Sequence, residues 1–234
     1  MTGTSPSPHL SSVDRAVGAF IGLAVGDALG MPTQSLSPAT ITSLYGRITA
    51  HVGGATQQPY APGLPAGTVT DDTEQAILVA DLLLKGGGHI SPEDFARALL
   101  NWEEEVIERG SHDLLGPSTK AALEKVRAGA DPTTTGTTGT TNGSAMRVTP
   151  VGIAYGTADL KAFAEAVHES CRVTHNTQQG FQGAALIAAA VSHGIDGADT
   201  RAAIDAALDT VSRLNAPVHW VEGAEVLART RWAV

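Results

Sequence analysis

TDDTEQAILVADLLL, residues Thr70 to Leu84, places two adjacent carboxylates and two hydroxyls at the head of a run that is otherwise almost wholly apolar. A helix of that composition belongs in a core, so its polar first turn must face something. One reading is capping: Thr70 is a good N-cap, and Asp71 and Asp72 suit the positive end of the helix dipole. The other is a divalent cation. Hard ions such as Mg²⁺ or Mn²⁺ take oxygen ligands, and a hydroxyl followed by two carboxylates offers three around one helix end. The residues alone leave both readings open.

Working outward, the surroundings are helical. At 234 residues a single core is the default. Apolar residues make up 42%, aromatics only 4%, and alanine is abundant, which favours helices packed through small side chains. The expected helices span 12–29, 71–85, 92–108, 118–128, 159–172, 178–192 and 199–214, with Ser12 as the first cap; residues 219–234 also look helical. Gly18, Gly22, Gly26 and Gly30 recur every fourth residue in the first helix, a stripe that lets another backbone approach closely. Residues 31–69, rich in Pro, Gly, Thr and Gln, read as a long irregular connection. TTTGTTGTTNG, within 133–143, reads as a flexible surface loop whose far end, Asn142-Gly143-Ser144, runs into the apolar AMRVTPVGIAYG. No strand pattern and no fixed-period repeat is visible.

The net charge is −9 and no Lys/Arg cluster occurs, so a nucleic-acid backbone is not an expected partner. The one cysteine, Cys171, cannot form an internal disulfide and reads as a buried thiol in a reducing compartment. The polar, Pro/Ser-rich N-terminus, 1–11, lacks the build of a signal peptide and reads as a disordered leader ahead of one domain over 12–234. The longest uninterrupted apolar stretch, Ala184 to Val191, is too short to span a bilayer. A cytoplasmic protein with no membrane partner is expected.

Five segments, GAFIGLAVGDALGMP, TVTDDTEQAILVADLL, GPSTKAAL, TNGSAMRVTPVGIAYG and RVTHNT, together resemble the ADP-ribosylglycohydrolase family and occur in its order. The resemblance implies an all-α orthogonal helical bundle holding two adjacent Mg²⁺ or Mn²⁺ ions, and hydrolysis of the N- or O-glycosidic bond of an ADP-ribosyl group on a protein or small-molecule substrate. Position by position, it implies that Thr70, Asp71 and Asp72 bind metal and that Asp113 in HDLLGPST is the general base for the attacking water. It further implies that Asn142, Gly143 and Ser144 approach the diphosphate and ribose, and that His175 lies near the same phosphates. Asp27 in VGDALG matches a family position and reads as structural, since a buried carboxylate needs hydrogen bonds or a nearby cation.

Two departures stand out. Gln34, counted with the substrate-binding residues, occupies the place where many relatives carry a glutamate that contacts the metal-bound region; it keeps the shape and one acceptor oxygen but cannot act as a base or neutralise a cation. The Asp-Thr-Asp-Thr/Ser motif that completes the binuclear site in longer relatives has no counterpart after His175, and Asp196, Asp199 and Thr200 in GIDGADT are not equated with it. Three oxygens alone would hold Mg²⁺ weakly. Alternatives are therefore a hydrolase of free nucleosides or other small N-ribosides, and a silent relative or C-terminally short fragment acting as a binding protein, with another chain supplying the missing helices.

Overall fold

Local signals start most helices where the sequence puts them. Ser11, one residue before the expected cap, accepts from the Asp14 N–H at 3.1 Å while the Asp14 carboxylate accepts back from the Ser11 N–H at 3.0 Å, a reciprocal box that opens α1 (Ser12–Gly30). Proline at the first turn begins α2 (Pro38–Tyr45), α4 (Pro92–Glu108) and α5 (Pro117–Arg127). The apolar run that follows the paired carboxylates forms α3 (Asp71–Lys85). Two short helices, α6 (Gly143–Met146) and α7 (Thr149–Ala154), lead into α8 (Leu160–His175), α9 (Gln178–Ile195), α10 (Thr200–Ser212) and α11 (Val226–Ala233). The structure, a computed structural model, describes residues 10–110 and 115–234, so residues 1–9 of the expected leader lie outside the described residues. Among the described residues the fold is all-α: eleven α-helices and a single isolated β-bridge, Thr177 to His219.

The core forms around α9, against which α6, α7, α8 and α10 pack. Its buried face is Ala184, Ala185, Ala188 and Ala189, and the small side chains set the spacing: a Cβ on Gly152 of α7 would stand 2.4 Å from the Ala188 carbonyl oxygen. Phe95, Leu99, Leu123, Phe163, Val167 and Phe181 fill the space between α4, α5, α8 and α9. Truncating Phe163, fully buried, to alanine would cost about 3–5 kcal/mol.

Four expectations change. The connection over 31–69 contains α2 and is pinned by one phenol: Tyr45 Oη accepts from the Ala55 N–H at 2.7 Å and lies 3.2 Å from the carbonyls of Pro32 and Gly53. The Thr/Gly segment is a packed cradle, not a loose loop. Thr135 is buried and donates to the Val173 carbonyl at 2.6 Å; Gly136 accepts from the Asn176 N–H, and Thr177 donates to the Gly139 carbonyl. The glycines are needed because a Cβ at 136 or 139 would stand 2.3 or 2.0 Å from the carbonyl oxygens of Arg172 or Thr174. The helix-like C-terminal segment is helical only over α11, since its first part joins the Thr177 bridge. Finally, no described backbone approaches the glycine stripe of α1: a Cβ at 18, 22, 26 or 30 would meet nothing within 4 Å. The row beside it, Val13, Val17, Ile21, Val25 and Leu29, is exposed as well. Ser12–Thr33 is, by length and composition, apolar enough to cross a membrane, in contrast to the shorter Ala184–Val191 stretch; in the fold it packs on α3, α7 and α9.

Candidate functional site

The first turn of α3 is held from outside its own segment. Thr70 stands at the N-cap position, yet its side chain makes no cap bond. Its hydroxyl and N–H instead donate to Oδ1 and Oδ2 of Asp27 on α1, both at 2.7 Å, while Thr73 donates to Oδ2 from its hydroxyl at 2.6 Å and its N–H at 3.2 Å. Asp27 thus does the capping, and its structural reading is the one the geometry supports. The capping role drawn from Thr70 belongs to a residue 43 positions earlier.

With the turn anchored this way, Asp71 and Asp72 both line a pocket of about 150 Å³. Its walls are Gln34 and Ser35 after α1, Tyr60, the head of α5 with Gly116, Pro117 and Thr119, and the Thr141–Gly143 turn with Met146. Burial first, then the neighbouring Asp72 and Asp27 charges, push Asp71 up to about 7. Asp72 is raised by the same burial and by Asp27. Two adjacent carboxylates with raised proton affinity and, among the described residues, no ion-paired partner are a donor set short of positive charge, which is what an oxygen-seeking divalent cation supplies. Thr70 adds a hydroxyl oxygen at the same helix end. Among the described residues no cluster of three or more His, Cys, Asp or Glu forms a metal-ligand group, so the set has the right chemistry and few members. A larger groove of about 470 Å³ between α3 and α4 is walled by the exposed Lys85, His89 and Arg97, and gathers no buried carboxylates.

The other sequence-predicted site residues divide. Gln34, Asn142 and Gly143 line the pocket. Ser144 and His175 do not, being 1% and 0% exposed. The Ser144 hydroxyl donates to the Gly180 carbonyl at 2.9 Å, fastening α6 to α9. His175 lies directly behind the turn: a Cβ on Gly143 would stand 2.7 Å from its Cε1. Its Nε2 is 2.9 Å from the Thr141 hydroxyl and its Nδ1 is 2.7 Å from the Thr174 hydroxyl, so the imidazole supports the pocket wall from behind. Asp113, expected as general base, lies outside the described residues.

Sequence reading missed Ser35, Tyr60, Thr119 and Thr141 on the walls, and Gln58 behind them. Gln58, buried, ties two walls together: its amide donates to the carbonyls of Met31 at 3.1 Å and Gln34 at 3.5 Å, and its Oε1 accepts from the N–H groups of Tyr60 and Ala61. Ser35 beside it adopts φ 60°, the sole positive value at a non-glycine among the described residues, a strained backbone on the pocket rim. Arg147 was also missed, although a lone arginine inside AMRVTPVG was a legible signal.

Comparison with known proteins agrees with the all-α fold. The chain is 33% identical over 200 residues to "Uncharacterized protein YegU" of Escherichia coli, covering 86% of this chain and 59% of that protein. It is 34% identical over 181 residues to the ADP-ribosyl-[dinitrogen reductase] glycohydrolase of Rhodospirillum rubrum, covering 74% and 54%. A solved structure of an ADP-ribosylglycohydrolase-related protein complex superposes with a TM-score of 0.66 at 30% identity, over 89% of this chain and 64% of that one. The chain therefore spans a little over half the length of these curated relatives. The model of one family, ADP-ribosylglycohydrolase, matches residues 8–234, and with the helical fold and the carboxylate-headed pocket in place, this chain belongs to the ADP-ribosylglycohydrolase family.

Proposed function

We propose that the chain carries the Asp71/Asp72 pocket of a metal-dependent hydrolase that cleaves the glycosidic bond of ADP-ribosylated side chains or a related ADP-ribosyl substrate. The observation that carries this reading is the pair of proton-hungry carboxylates facing the Asn142–Gly143 turn across one small pocket. The relative in Rhodospirillum rubrum, named for removing ADP-ribose from dinitrogen reductase, supports the substrate class. Asp71, Asp72 and Thr70 would hold Mg²⁺ or Mn²⁺. Such an ion supplies positive charge and Lewis acidity toward ribose hydroxyls, at a pocket whose protein carries −9 overall. The chain's own residues bind and orient: the backbone at Gly143 offers a surface without a side chain to the diphosphate, and the Gln34 amide offers a neutral hydrogen-bonding group. In the hydrolysis the bond from the anomeric carbon to the leaving nitrogen or oxygen breaks, water oxygen takes its place, and the leaving group gains the proton. Asp113 remains the proposed base, and the cytoplasm the proposed location.

One observation favours a second reading, ligand binding without turnover: no third acidic or histidine ligand joins Asp71 and Asp72 among the described residues. In that case another polypeptide would supply the missing ligands and helices. Release of ADP-ribose from ADP-ribosyl-arginine, ADP-ribosyl-serine and simple nucleosides, measured with Mg²⁺, with Mn²⁺ and with EDTA, separates the two. Turnover that needs metal and disappears in the Asp71→Asn, Asp72→Asn variant supports the hydrolase. ADP-ribose binding with no product supports the binding protein, and nucleoside turnover alone moves the substrate to small ribosides.

A further inference from the structure

Arg147 is fully buried, and the pocket chemistry above leaves it without a task. Among the described residues no carboxylate lies within ion-pair reach of it. Its guanidinium donates to Gln75 Oε1 at 2.8 Å and Thr174 Oγ1 at 2.5 Å, with the Ser170 carbonyl at 3.5 Å, and sits 4.8 Å from the centre of the Phe95 ring. A buried cation that feels the Asp71 charge but makes no ion pair among these residues is costly, so its persistence calls for a purpose in the directions of the hydrogen bonds it fixes.

Those directions follow from the donor inventory. The guanidinium has only N–H groups, so Thr174 Oγ1 accepts from it. Among the described residues no carbonyl accepts the Thr174 hydroxyl proton, and the atom placed to take it is His175 Nδ1 at 2.7 Å. An accepting Nδ1 means a neutral imidazole with its proton on Nε2, and burial with the Arg147 charge, which hold His175 down to about 3, agree with neutrality. Nε2–H then donates to Thr141 Oγ1 at 2.9 Å. Thr141 lines the pocket, and once its oxygen accepts from His175 its own proton is free to point outward.

We infer that Arg147 is a positioning residue which, through Thr174 and His175, fixes the Thr141 hydroxyl as a hydrogen-bond donor into the pocket, where it meets an anionic oxygen of the ligand. The four groups form one polarised chain, Arg147 to Thr174 to His175 to Thr141, in which each donor strengthens the next. A diphosphate oxygen is the acceptor when the ligand is an ADP-ribosyl group, a point that rests on the proposed function. The direction of the chain does not.

The test has two arms. In the first, ¹⁵N-resolved NMR of the His175 imidazole reports its tautomer: Nε2–H in the wild type, and a mixed or Nδ1–H population in Thr174→Val. Nδ1–H or a protonated ring in the wild type at neutral pH overturns the chain. In the second, calorimetry with ADP-ribose and with inorganic pyrophosphate compares Thr141→Val and Thr141→Ser with the wild type. Loss of tenfold or more in the valine variant, with serine within about twofold of wild type and unchanged thermal midpoints, supports the donor role; equal affinities in all three overturn it. If the wild type binds pyrophosphate but not ADP-ribose, the functional reading fails and the valine-to-serine comparison still decides the donor. Arg147→Gln extends the series where it folds, and Thr174→Val carries the same question where it does not.

Discussion

Asp27 and Thr73 meet twice, the hydroxyl and the N–H of Thr73 both donating to Asp27 Oδ2, at 2.6 and 3.2 Å. With the two bonds from Thr70, one carboxylate on α1 satisfies the orphan donors of a helix that begins 44 residues later. Removing it strands two backbone N–H groups and two hydroxyls at a mostly buried helix end. Asp27→Ala should therefore lower unfolding free energy by about 2–4 kcal/mol in urea titration, and Asp27→Asn by less, since the amide keeps one acceptor oxygen. A loss below about 0.5 kcal/mol for the alanine variant would mean that the first turn of α3 is held by something else.

The difference between what could be read from the chain and what could not has a physical pattern. Helices α4, α8, α9 and α10 were legible because each combines a local side-chain cap with apolar periodicity, α5 because proline opens its first turn, and α3 through its apolar run alone, all signals that sit within one segment. The carboxylate pair was legible for the same reason. What stayed hidden depends on segments far apart in sequence. Nothing near Thr70 tells that its cap is Asp27, and nothing near Tyr60 tells that Gln58 ties it to Gln34. The Thr/Gly segment misled because low complexity usually means solvent, whereas here its glycines are small enough to lie against the carbonyls at the end of α8. His175 was expected near the phosphates by resemblance; that it lies buried directly behind Gly143 is a placement no sequence motif encodes.

The glycine stripe of α1 makes a prediction of opposite sign to its usual reading. Since a Cβ at position 22 meets nothing within 4 Å, Gly22→Ala should stabilise this chain by about 0.5–1 kcal/mol through helix propensity alone. Thermal or chemical unfolding reads the change directly. A destabilised variant would show that another backbone lies against α1 in solution.

Gly143 is a glycine of the other kind. A methyl group there would press within 2.7 Å of His175 Cε1 and 3.4 Å of Thr119 Oγ1, neither of which has room to retreat from a buried position. Gly143→Ala should cost about 1–3 kcal/mol and displace the Asn142–Gly143 wall, so ADP-ribose affinity should drop by more than the stability loss alone explains. Wild-type affinity and stability in the variant would refute the placement of His175 beneath the turn.

The raised proton affinity of Asp71 fixes how metal and pH interact. Its folded value, about 7, lies above the ordinary carboxylate value, so the metal-free protein prefers the protonated form and loses this stabilisation as pH rises toward and through 7. A divalent cation reverses the preference by favouring the ionised form. Mn²⁺ at roughly 100 Kd should then stabilise the protein by about 2.7 kcal/mol at pH 8 and by clearly less at pH 5.5, where protons compete. Asp71→Asn should raise the metal-free midpoint and abolish the Mn²⁺ increment. An increment that persists in the variant would place the ion elsewhere.

His175 predicts a pH dependence of the reverse sign. Its folded value of about 3 lies well below the ordinary 6.5, with burial the larger cause and Arg147 the smaller. Between those two values the unfolded chain binds a proton that the folded chain refuses, so this residue's contribution is full above 6.5 and is lost steadily as pH falls toward 3. His168, lowered by its half-buried position, adds in the same direction, while Asp71 in metal-free protein opposes both. The contribution is isolated by comparing wild type with His175→Gln, in which the other groups are common. The variant should be less stable at pH 7.5, because its amide cannot bridge Thr174 and Thr141 in the same geometry. The gap should then narrow by a few kcal/mol on going to pH 4.5, since only the wild type bears the rising cost of excluding a proton from that ring. A gap that stays constant over that range would mean that the imidazole takes up its proton in place, and the neutral relay behind the pocket wall would fall with it.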